Sequence, residues 1–181
     1  MGRLRALTAL VVFGLGPLAA ACDPPSPAPF RYDTTGCASP PNPLTGAVSV
    51  SPRPARHGGT VTLHLTGLSI PRAPTGFPAR ETGYLLPLPG AVAEVTGVAG
   101  ARGFRVDDRV LWFWYRDTEP STPVSADVTV RLVDGSGPAT VTWPAPSDVH
   151  VFSVSPSTGA PYVFRCSIDP AGPPLVTFPV E

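Results

Sequence analysis

The chain has 181 residues, of which 13 are basic and 13 acidic, and its formal net charge is zero. All the basic residues are arginines spread along the chain, so no basic patch indicates a nucleic-acid partner. Loss of an N-terminal leader containing Arg3 and Arg5 would leave 11 basic residues against 13 acidic ones, a formal charge of −2. The length is enough for one domain that buries a full hydrophobic core.

The N-terminal segment has the pattern of a secretory signal peptide. Arg3 and Arg5 precede an uncharged apolar run over residues 6–18. This run is shorter than the roughly 18 residues that a membrane-spanning helix needs. The sequence therefore predicts a signal peptide over residues 1–21 and no permanent membrane helix.

Residues 18–22 read Leu-Ala-Ala-Ala-Cys. They resemble the lipobox of bacterial lipoproteins, in which small residues precede an obligatory cysteine, although that family usually has leucine where this chain has Ala19. The resemblance implies that Cys22 carries a lipid, becomes the first mature residue and anchors the protein to the outer face of the cell membrane. The small residues before Cys22 also satisfy the rule for ordinary signal peptidase, which would release a soluble secreted protein.

Three cysteines leave one thiol unpaired in an oxidising compartment. If a lipid occupies Cys22, then Cys37 and Cys166 form an even set, and we expect a disulfide between them. That bond would close a long loop, for which the chain-entropy model gives a stabilisation of the folded state of roughly 4–5 kcal/mol. The rival pairing of Cys22 with Cys37 would close only a proline-rich stretch and leave Cys166 alone.

The 26 prolines are spread unevenly and divide the mature chain into two parts. Residues 22–45 are predicted to form the lipidation site and a proline-rich tether, in which Phe30 and Tyr32 are either first contacts with the domain or scattered aromatics. Residues 46–181 are predicted to form the folded domain. Because proline cannot donate to a strand ladder, strands are expected where proline is missing.

Alternation of apolar and polar residues predicts strands over much of this domain. The apolar run at residues 110–115 favours a central strand covered on both faces. The segment 70–89 holds five prolines and is predicted to be an irregular connection. Residues 139–143 are predicted to return as the hairpin partner of residues 124–132. Further strands are predicted over residues 47–51, 60–66, 91–98, 148–154, 162–168 and 175–180.

About seven or eight short strands without an amphipathic helix predict an all-β, antiparallel β-sandwich, with a closed barrel as the alternative. Cys37 before the first strand, Gly59-Thr60-Val61 at the second and Phe164-Arg165-Cys166 near the end resemble the uncharacterised immunoglobulin-like domains exported by actinobacteria. The resemblance covers most of residues 37–178. It implies an immunoglobulin-like fold and an extracytoplasmic location, with no defined chemistry.

No pattern in the sequence indicates an enzyme, a metal site or a cofactor. The three histidines lack the spacing of a zinc site, and His64 lies on the polar side of its predicted strand, as a surface residue does. No Gly-x-Ser-x-Gly elbow is present, although a catalytic triad is defined by geometry rather than by sequence. Asp108, Asp117 and Glu119 lack the regular oxygen spacing of a calcium loop.

Three functions remain open. The first is a lipid-anchored binding or structural module that meets an envelope protein, lipid or glycan; the second is a carrier or sensor of an apolar ligand, held in a cleft lined by leucines 85, 86 and 88 and the tryptophans. The third is a secreted hydrolase without a recognisable motif. A filled core would favour the first, a dry cavity between sheets the second, and a His–Asp–Ser cluster in a cleft the third. If Trp112 and Trp114 face outward, they are candidate ligand-facing aromatics for a sugar or lipid.

Overall fold

The structure is a computed structural model, and it describes residues 26–37, 42–70, 79–116, 122–135, 137–155 and 157–181. The predicted signal peptide, the predicted lipidation site Cys22 and the acidic residues Asp117 and Glu119 lie outside these ranges.

The described residues form β-strands and no helix, which confirms the all-β prediction. The strands are β1 (Ala28–Tyr32), β2 (Thr34–Thr35), β3 (Leu44–Ser51), β4 (Thr60–Leu68), β5 (Ala79–Pro87), β6 (Val92–Ala99), β7 (Gly103–Asp107), β8 (Val110–Arg116), β9 (Val124–Leu132), β10 (Thr140–Trp143), β11 (Asp148–Val154), β12 (Pro161–Ile168) and β13 (Val176–Pro179). The number exceeds the predicted seven or eight, and β1, β2, β5 and β7 are the strands that the sequence did not predict.

Most strands belong to two antiparallel sheets. The five-stranded sheet has the order β1-β3-β4-β9-β6, and the six-stranded sheet has the order β2-β12-β11-β5-β8-β7. Strands β10 and β13 form a separate pair. Each large sheet is open, ending in an edge strand on either side, so the closed alternative is wrong.

One hydrophobic core joins the inner faces of the two large sheets. Val61, Leu63 and Leu65 alternate inward along β4, as their period-2 spacing predicts. Tyr84 of β5 and Phe113 of β8 contribute from the six-stranded sheet, and their rings stack at 5.4 Å. The void among these inner side chains is about 10 Å³, close to the space of a single water molecule. The core is therefore filled.

Two tyrosine hydroxyls tie the six-stranded sheet to the ends of the five-stranded one. Tyr84 Oη donates to the carbonyl of Ser69, just after β4, at 3.0 Å, and Tyr115 Oη donates to the carbonyl of Ser125 in β9 at 2.7 Å. Burial is the main cause that raises the pKa of both hydroxyls. Both therefore stay protonated donors at neutral pH and can hold these hydrogen bonds to the two carbonyls.

The segment 70–89, predicted to be irregular, contains β5, a central strand between β11 and β8. That prediction is wrong because counting prolines over the whole window hid their positions. Only Pro87 lies within β5, and it is the last residue of the strand, where a missing N–H costs little.

Residues 139–143 form β10, but β10 pairs with β13 and not with β9. The predicted hairpin is wrong because both edges of β9 are already occupied, by β4 and by β6. Val141 and Trp143 share one face of β10, since both side chains are buried.

Part of the stretch predicted as a tether lies within the sheets. β1 pairs with β3 in the five-stranded sheet, and β2 pairs with β12 in the six-stranded sheet. Tyr32 is buried and Phe30 packs against the core, so both aromatics are contacts with the domain. The folded part therefore begins well before residue 46.

The predicted Cys37–Cys166 disulfide is present. Its Cα atoms are 4.8 Å apart, and the two cysteines are 129 residues apart in the sequence. Cys166 lies in β12 and is fully buried, while Cys37 follows β2. The bond therefore fixes the start of the domain to β12, the strand next to the edge strand β2 of the six-stranded sheet.

Candidate functional site

Strand β8 presents its two tryptophans on the outer face of the six-stranded sheet. Leu111, Phe113 and Tyr115 point into the core, whereas Trp112 and Trp114 are half-buried on the opposite side. The prediction of a strand covered on both faces is wrong, because both tryptophans stay partly exposed on this outer face. The alternative orientation, with both tryptophans outward, is the one observed. A role in ligand binding stays a prediction.

The tryptophans belong to a cluster of rings that crosses three strands. Trp112 stacks on Phe152 of β11, with centroids 5.9 Å apart and planes 17° apart, and meets Trp114 nearly perpendicularly at 6.5 Å. The guanidinium of Arg105, on β7, lies 4.4 Å from the centre of the Trp112 ring. At an exposed site such a cation–π contact is worth about 0.5–1 kcal/mol, so Arg105 can leave the ring at small cost.

Glycines leave the room that these indoles occupy. A Cβ at Gly83 of β5 would collide with the indole nitrogen of Trp112, and a Cβ at Gly103 of β7 would lie 2.6 Å from the Trp114 ring. The Trp112 indole therefore reaches over Gly83 of β5 and the Trp114 indole over Gly103 of β7, with the two ring planes nearly perpendicular. The two glycines thus let both rings come close to the backbone of the neighbouring strands.

A shallow groove of about 210 Å³ runs over this surface. Its lining residues are Glu81, Arg105, Trp112, Trp114 and Phe152. Glu81 Oε2 lies 3.5 Å from Nε of Arg116, so the guanidinium holds the Glu81 side chain at one side of the groove. The groove is smaller than the roughly 300–1,000 Å³ pockets that enclose drug-sized ligands, and it is open to solvent. It fits one part of an extended ligand.

The hairpin that carries this surface closes with a two-residue loop. Asp108 and Arg109 have φ angles of +44° and +60°, in the left-handed region that such tight loops require. Arg109 Nη2 donates to the carbonyls of Pro89 at 2.6 Å and Val92 at 3.1 Å, which holds the loop against the neighbouring turn. Asp108 thus belongs to a turn and not to a strand.

Two polar atoms beneath the aromatic surface have no hydrogen-bond partner in the described part of the chain. They are Nε1 of Trp112, a donor, and Nε2 of His150, on β11. The two rings meet at 5.4 Å in an edge-to-face arrangement. Burial is the main cause that lowers the pKa of His150, so its imidazole is neutral at pH 7 and can accept a hydrogen bond.

Beside His150, Asp148 is the best-satisfied carboxylate of this face. It accepts hydrogen bonds from Arg165 at 2.7 and 3.0 Å and from Ser167 at 2.8 Å. Burial alone raises the pKa of Asp148, but these hydrogen bonds and the guanidinium charge outweigh it and hold the pKa below its usual value. The bidentate pair fixes β11 against β12 next to the aromatic surface.

The outer face of the five-stranded sheet carries a different set of groups. His64, on β4, is hydrogen-bonded on both sides: Nε2 lies 2.7 Å from Oγ of Ser51 on β3, and Nδ1 lies 2.8 Å from Oδ1 of Asp127 on β9. The side chain of His64 is 35% exposed, so it does lie at the surface. Local sequence gives no sign of its two partners, because they come from positions 13 and 63 residues away.

Leucines 85, 86 and 88 do not line one cleft with the tryptophans. Leu86 is buried in the core, on the opposite side of β5 from the aromatic surface, while Leu85 is half-buried. Another groove, of about 390 Å³, lies between the start of β6 and β10, but its lining holds no ionisable or aromatic side chain. It offers no group that would fix a ligand.

The described ranges contain neither a candidate metal cluster nor a candidate membrane-spanning helix. No group of three or more His, Cys, Asp or Glu side chains there could hold a metal ion. Nor does any helix in the described ranges have the length and apolar character that a membrane span requires.

In the described part of the chain, the fold thus assembles a cluster of rings on one outer face and the hydrogen-bonded residues Ser51, His64 and Asp127 on the other. Comparison with known proteins adds no third argument: no family model matches this chain, and no curated protein gives a significant match.

Proposed function

We propose that this protein is an exported binding module, anchored to the outer face of the cell membrane through a lipid on Cys22. In this proposal residues 46–181, extended at the front by β1 and β2, adopt an immunoglobulin-like β-sandwich arrangement. The ligand is a glycan of the cell envelope, and it binds to the aromatic surface formed by Trp112, Trp114 and Phe152. The single observation that carries the proposal is the open groove over this surface.

The chemistry of the groove supports a sugar as ligand. Aromatic rings pack against the apolar C–H face of a sugar ring, while charged side chains at the margin bond to its hydroxyls. Trp114 is the better platform, because Trp112 already stacks on Phe152 and Arg105. Arg105 donates and Glu81 accepts, so a hydroxyl group, which does both, is matched on the two sides.

The packing between the sheets supports surface binding over transport of an enclosed apolar ligand. The inner void of about 10 Å³ has no room for a lipid chain or a sterol. A carrier would need the two sheets to separate, and the tyrosine hydrogen bonds to Ser69 and Ser125 oppose that separation.

The binding proposal is tested by replacing the platform. Trp114→Ala should weaken binding of a soluble envelope polysaccharide by at least about tenfold, which corresponds to roughly 1.4 kcal/mol of lost stacking. The measurement is calorimetric titration of the full chain with a panel of oligosaccharides prepared from bacterial envelopes, with dextran as the unrelated glycan.

Phe104→Ala is the matched control, because Phe104 is an exposed aromatic of the same hairpin. Its cross-strand partner is Phe113, so it lies on the face opposite the groove, and it is 39% exposed. We expect this variant to bind as the wild type does. If wild type binds none of the panel, or if both variants lose affinity equally, the aromatic surface is not a glycan site.

The anchoring proposal has its own test. Cys22→Ala should move the protein from the membrane fraction to the medium, because a single diacylglycerol is what holds it there. The measurement is fractionation of expressing cells followed by immunoblotting. Retention of the variant in the membrane fraction would contradict lipid anchoring and leave the binding proposal untouched.

A further inference from the structure

Ser51, His64 and Asp127 follow one another across three adjacent strands of the five-stranded sheet. Their two hydrogen bonds, of 2.7 and 2.8 Å, are both within the range of good hydrogen bonds. The order hydroxyl, imidazole, carboxylate is that of an activated serine nucleophile, which is recognised by geometry on unrelated folds. We propose that Ser51 is such a nucleophile and accepts an acyl group from an activated ester.

The proton positions follow from the acceptor at one end. An ionised Asp127 carboxylate can only accept, so Nδ1 of His64 carries the proton in the bond between them. In a neutral imidazole this leaves the lone pair on Nε2, which accepts from the hydroxyl of Ser51. His64 is therefore oriented as a general base, and Asp127 is a positioning residue that fixes its tautomer.

The line of residues Ser51, His64 and Asp127, called the row from here on, depends on the direction in which each side chain points. Cross-strand pairing of the backbone alone does not produce it. The residue directly opposite His64 on β3 is Ser49, while Ser51 lies opposite Thr62. His64 nonetheless bonds to Ser51, one pleat further along the strand. Asp127, by contrast, is the direct cross-strand partner of His64. The two serines share a strand and a face, so the structure supplies an internal control.

The neighbouring row presents further hydroxyls to the same face. Thr62 Oγ1 lies 3.3 Å from Oγ1 of Thr129 on the next strand. In a pair joined by one hydrogen bond, the accepting hydroxyl keeps its own proton available for another acceptor. With Thr129 as the donor, the free proton is that of Thr62, the cross-strand partner of Ser51. We assign this proton to the oxygen that becomes negative when the ester carbonyl is attacked.

The reaction is acyl transfer and needs no co-reactant. Oγ of Ser51 forms a bond to the carbonyl carbon of the ester while its proton passes to Nε2 of His64. The bond from that carbon to the leaving oxygen then breaks, and the leaving alcohol takes the proton from Nε2. Ser51 ends as an ester, and His64 returns to its neutral form. Exposure of 35% at His64 and 53% at Asp127 makes the row accessible to a donor from solvent.

The experiment measures covalent labelling of the full chain by a fluorophosphonate, a probe that reacts with activated serines, and by 4-nitrophenyl acetate as the acyl donor. Wild type should give one adduct, mapped to Ser51 by peptide mass spectrometry. His64→Gln should slow labelling by at least about 100-fold, the usual contribution of a general base. Asp127→Asn should slow it by at least about tenfold, and Ser49→Ala should label at the wild-type rate.

Thermal unfolding of each variant shows whether it folds, and the wild-type result decides the matter if one does not. Absence of an adduct on wild type, an adduct on a different residue, or equal rates in wild type and His64→Gln would each overturn the proposal. Labelling of Ser51 that depends on His64 supports it. This result is independent of glycan binding, because the row lies on the opposite sheet from the aromatic surface.

Discussion

The outer face of the six-stranded sheet is aromatic, whereas that of the five-stranded sheet bears hydroxyl, imidazole and carboxylate groups. On the first, Trp112 and Trp114 reach over the neighbouring strands because Gly83 and Gly103 leave room for their indoles. On the second, His64 is held by directional hydrogen bonds to neighbouring strands. On the first face, the position of the side chains depends on the space that the glycines leave. On the second, it depends on which groups can form hydrogen bonds. Mutations should distinguish these two effects.

The largest expected effect comes from the disulfide, which joins Cys37 to β12 of the six-stranded sheet. Replacing both Cys37 and Cys166 by Ser should lower the free energy of unfolding by up to about 4–5 kcal/mol, because the unfolded chain regains the entropy of a long loop. Urea unfolding measures the effect. A reducing agent should destabilise wild type and leave the double variant unchanged; equal stability of the two proteins under oxidising conditions would show that the bond contributes nothing.

A smaller effect compares one glycine from each sheet. Gly83→Ala places a methyl group against Trp112 and should cost about 1–3 kcal/mol, with a shift in tryptophan emission. Gly97→Ala, in β6, meets no heavy atom within 4 Å and should be neutral or stabilise by up to about 1 kcal/mol. Urea unfolding followed by fluorescence measures both. Equal losses in the two variants would show that the indole of Trp112 is not held down by Gly83.

The smallest effect is the pH dependence contributed by His150. Burial lowers its pKa in the folded state, so the unfolded chain binds a proton more readily. Stability from this residue is complete above the ordinary histidine pKa of about 6.5 and decreases as the pH falls below it. His150→Gln should therefore flatten the decline in stability between pH 7 and pH 5, measured by thermal unfolding. An unchanged slope would contradict the burial of this imidazole.

A separate loss at lower pH belongs to Asp148, whose pKa is lowered. Its contribution is complete above the ordinary aspartate pKa of about 4 and is lost as the pH falls through the lower folded-state value. The two windows do not coincide, so the His150→Gln variant should still lose stability below pH 4.

Local pattern was enough to predict most strands and the disulfide. β9 and β11 have the predicted bounds, because clean alternation and nearby turn residues define them. β5 was missed because the number of prolines in the segment 70–89 was counted without regard to their positions. Only Pro87 lies in the strand, at its last residue. The partner of β10 was missed because strand pairing depends on which edges other strands have already taken, and no local pattern records that.

The candidate sites were predictable only in part. Trp112 and Trp114 were noticed because they lie in an unbroken apolar run. Phe152, Arg105 and Glu81 come from other strands, and no sequence pattern links them to the tryptophans. Ser51 and Asp127 are ordinary polar residues until the register of β3, β4 and β9 brings them to His64. Period-2 alternation placed His64 on the polar face of β4 correctly. It could not show which residues of other strands lie beside His64 on that face.

The cross-link between Cys37 and Cys166 also determines how the protein responds to mechanical load. Tension applied between the two ends of the chain passes through this bond and bypasses everything between the two cysteines. Among the described residues, the segments that can be stretched are those outside the loop: β1 and β2 on one side, and the part from Ser167 onward on the other. Both outer faces described above lie mainly within the bypassed region, so pulling on the ends would leave their geometry intact.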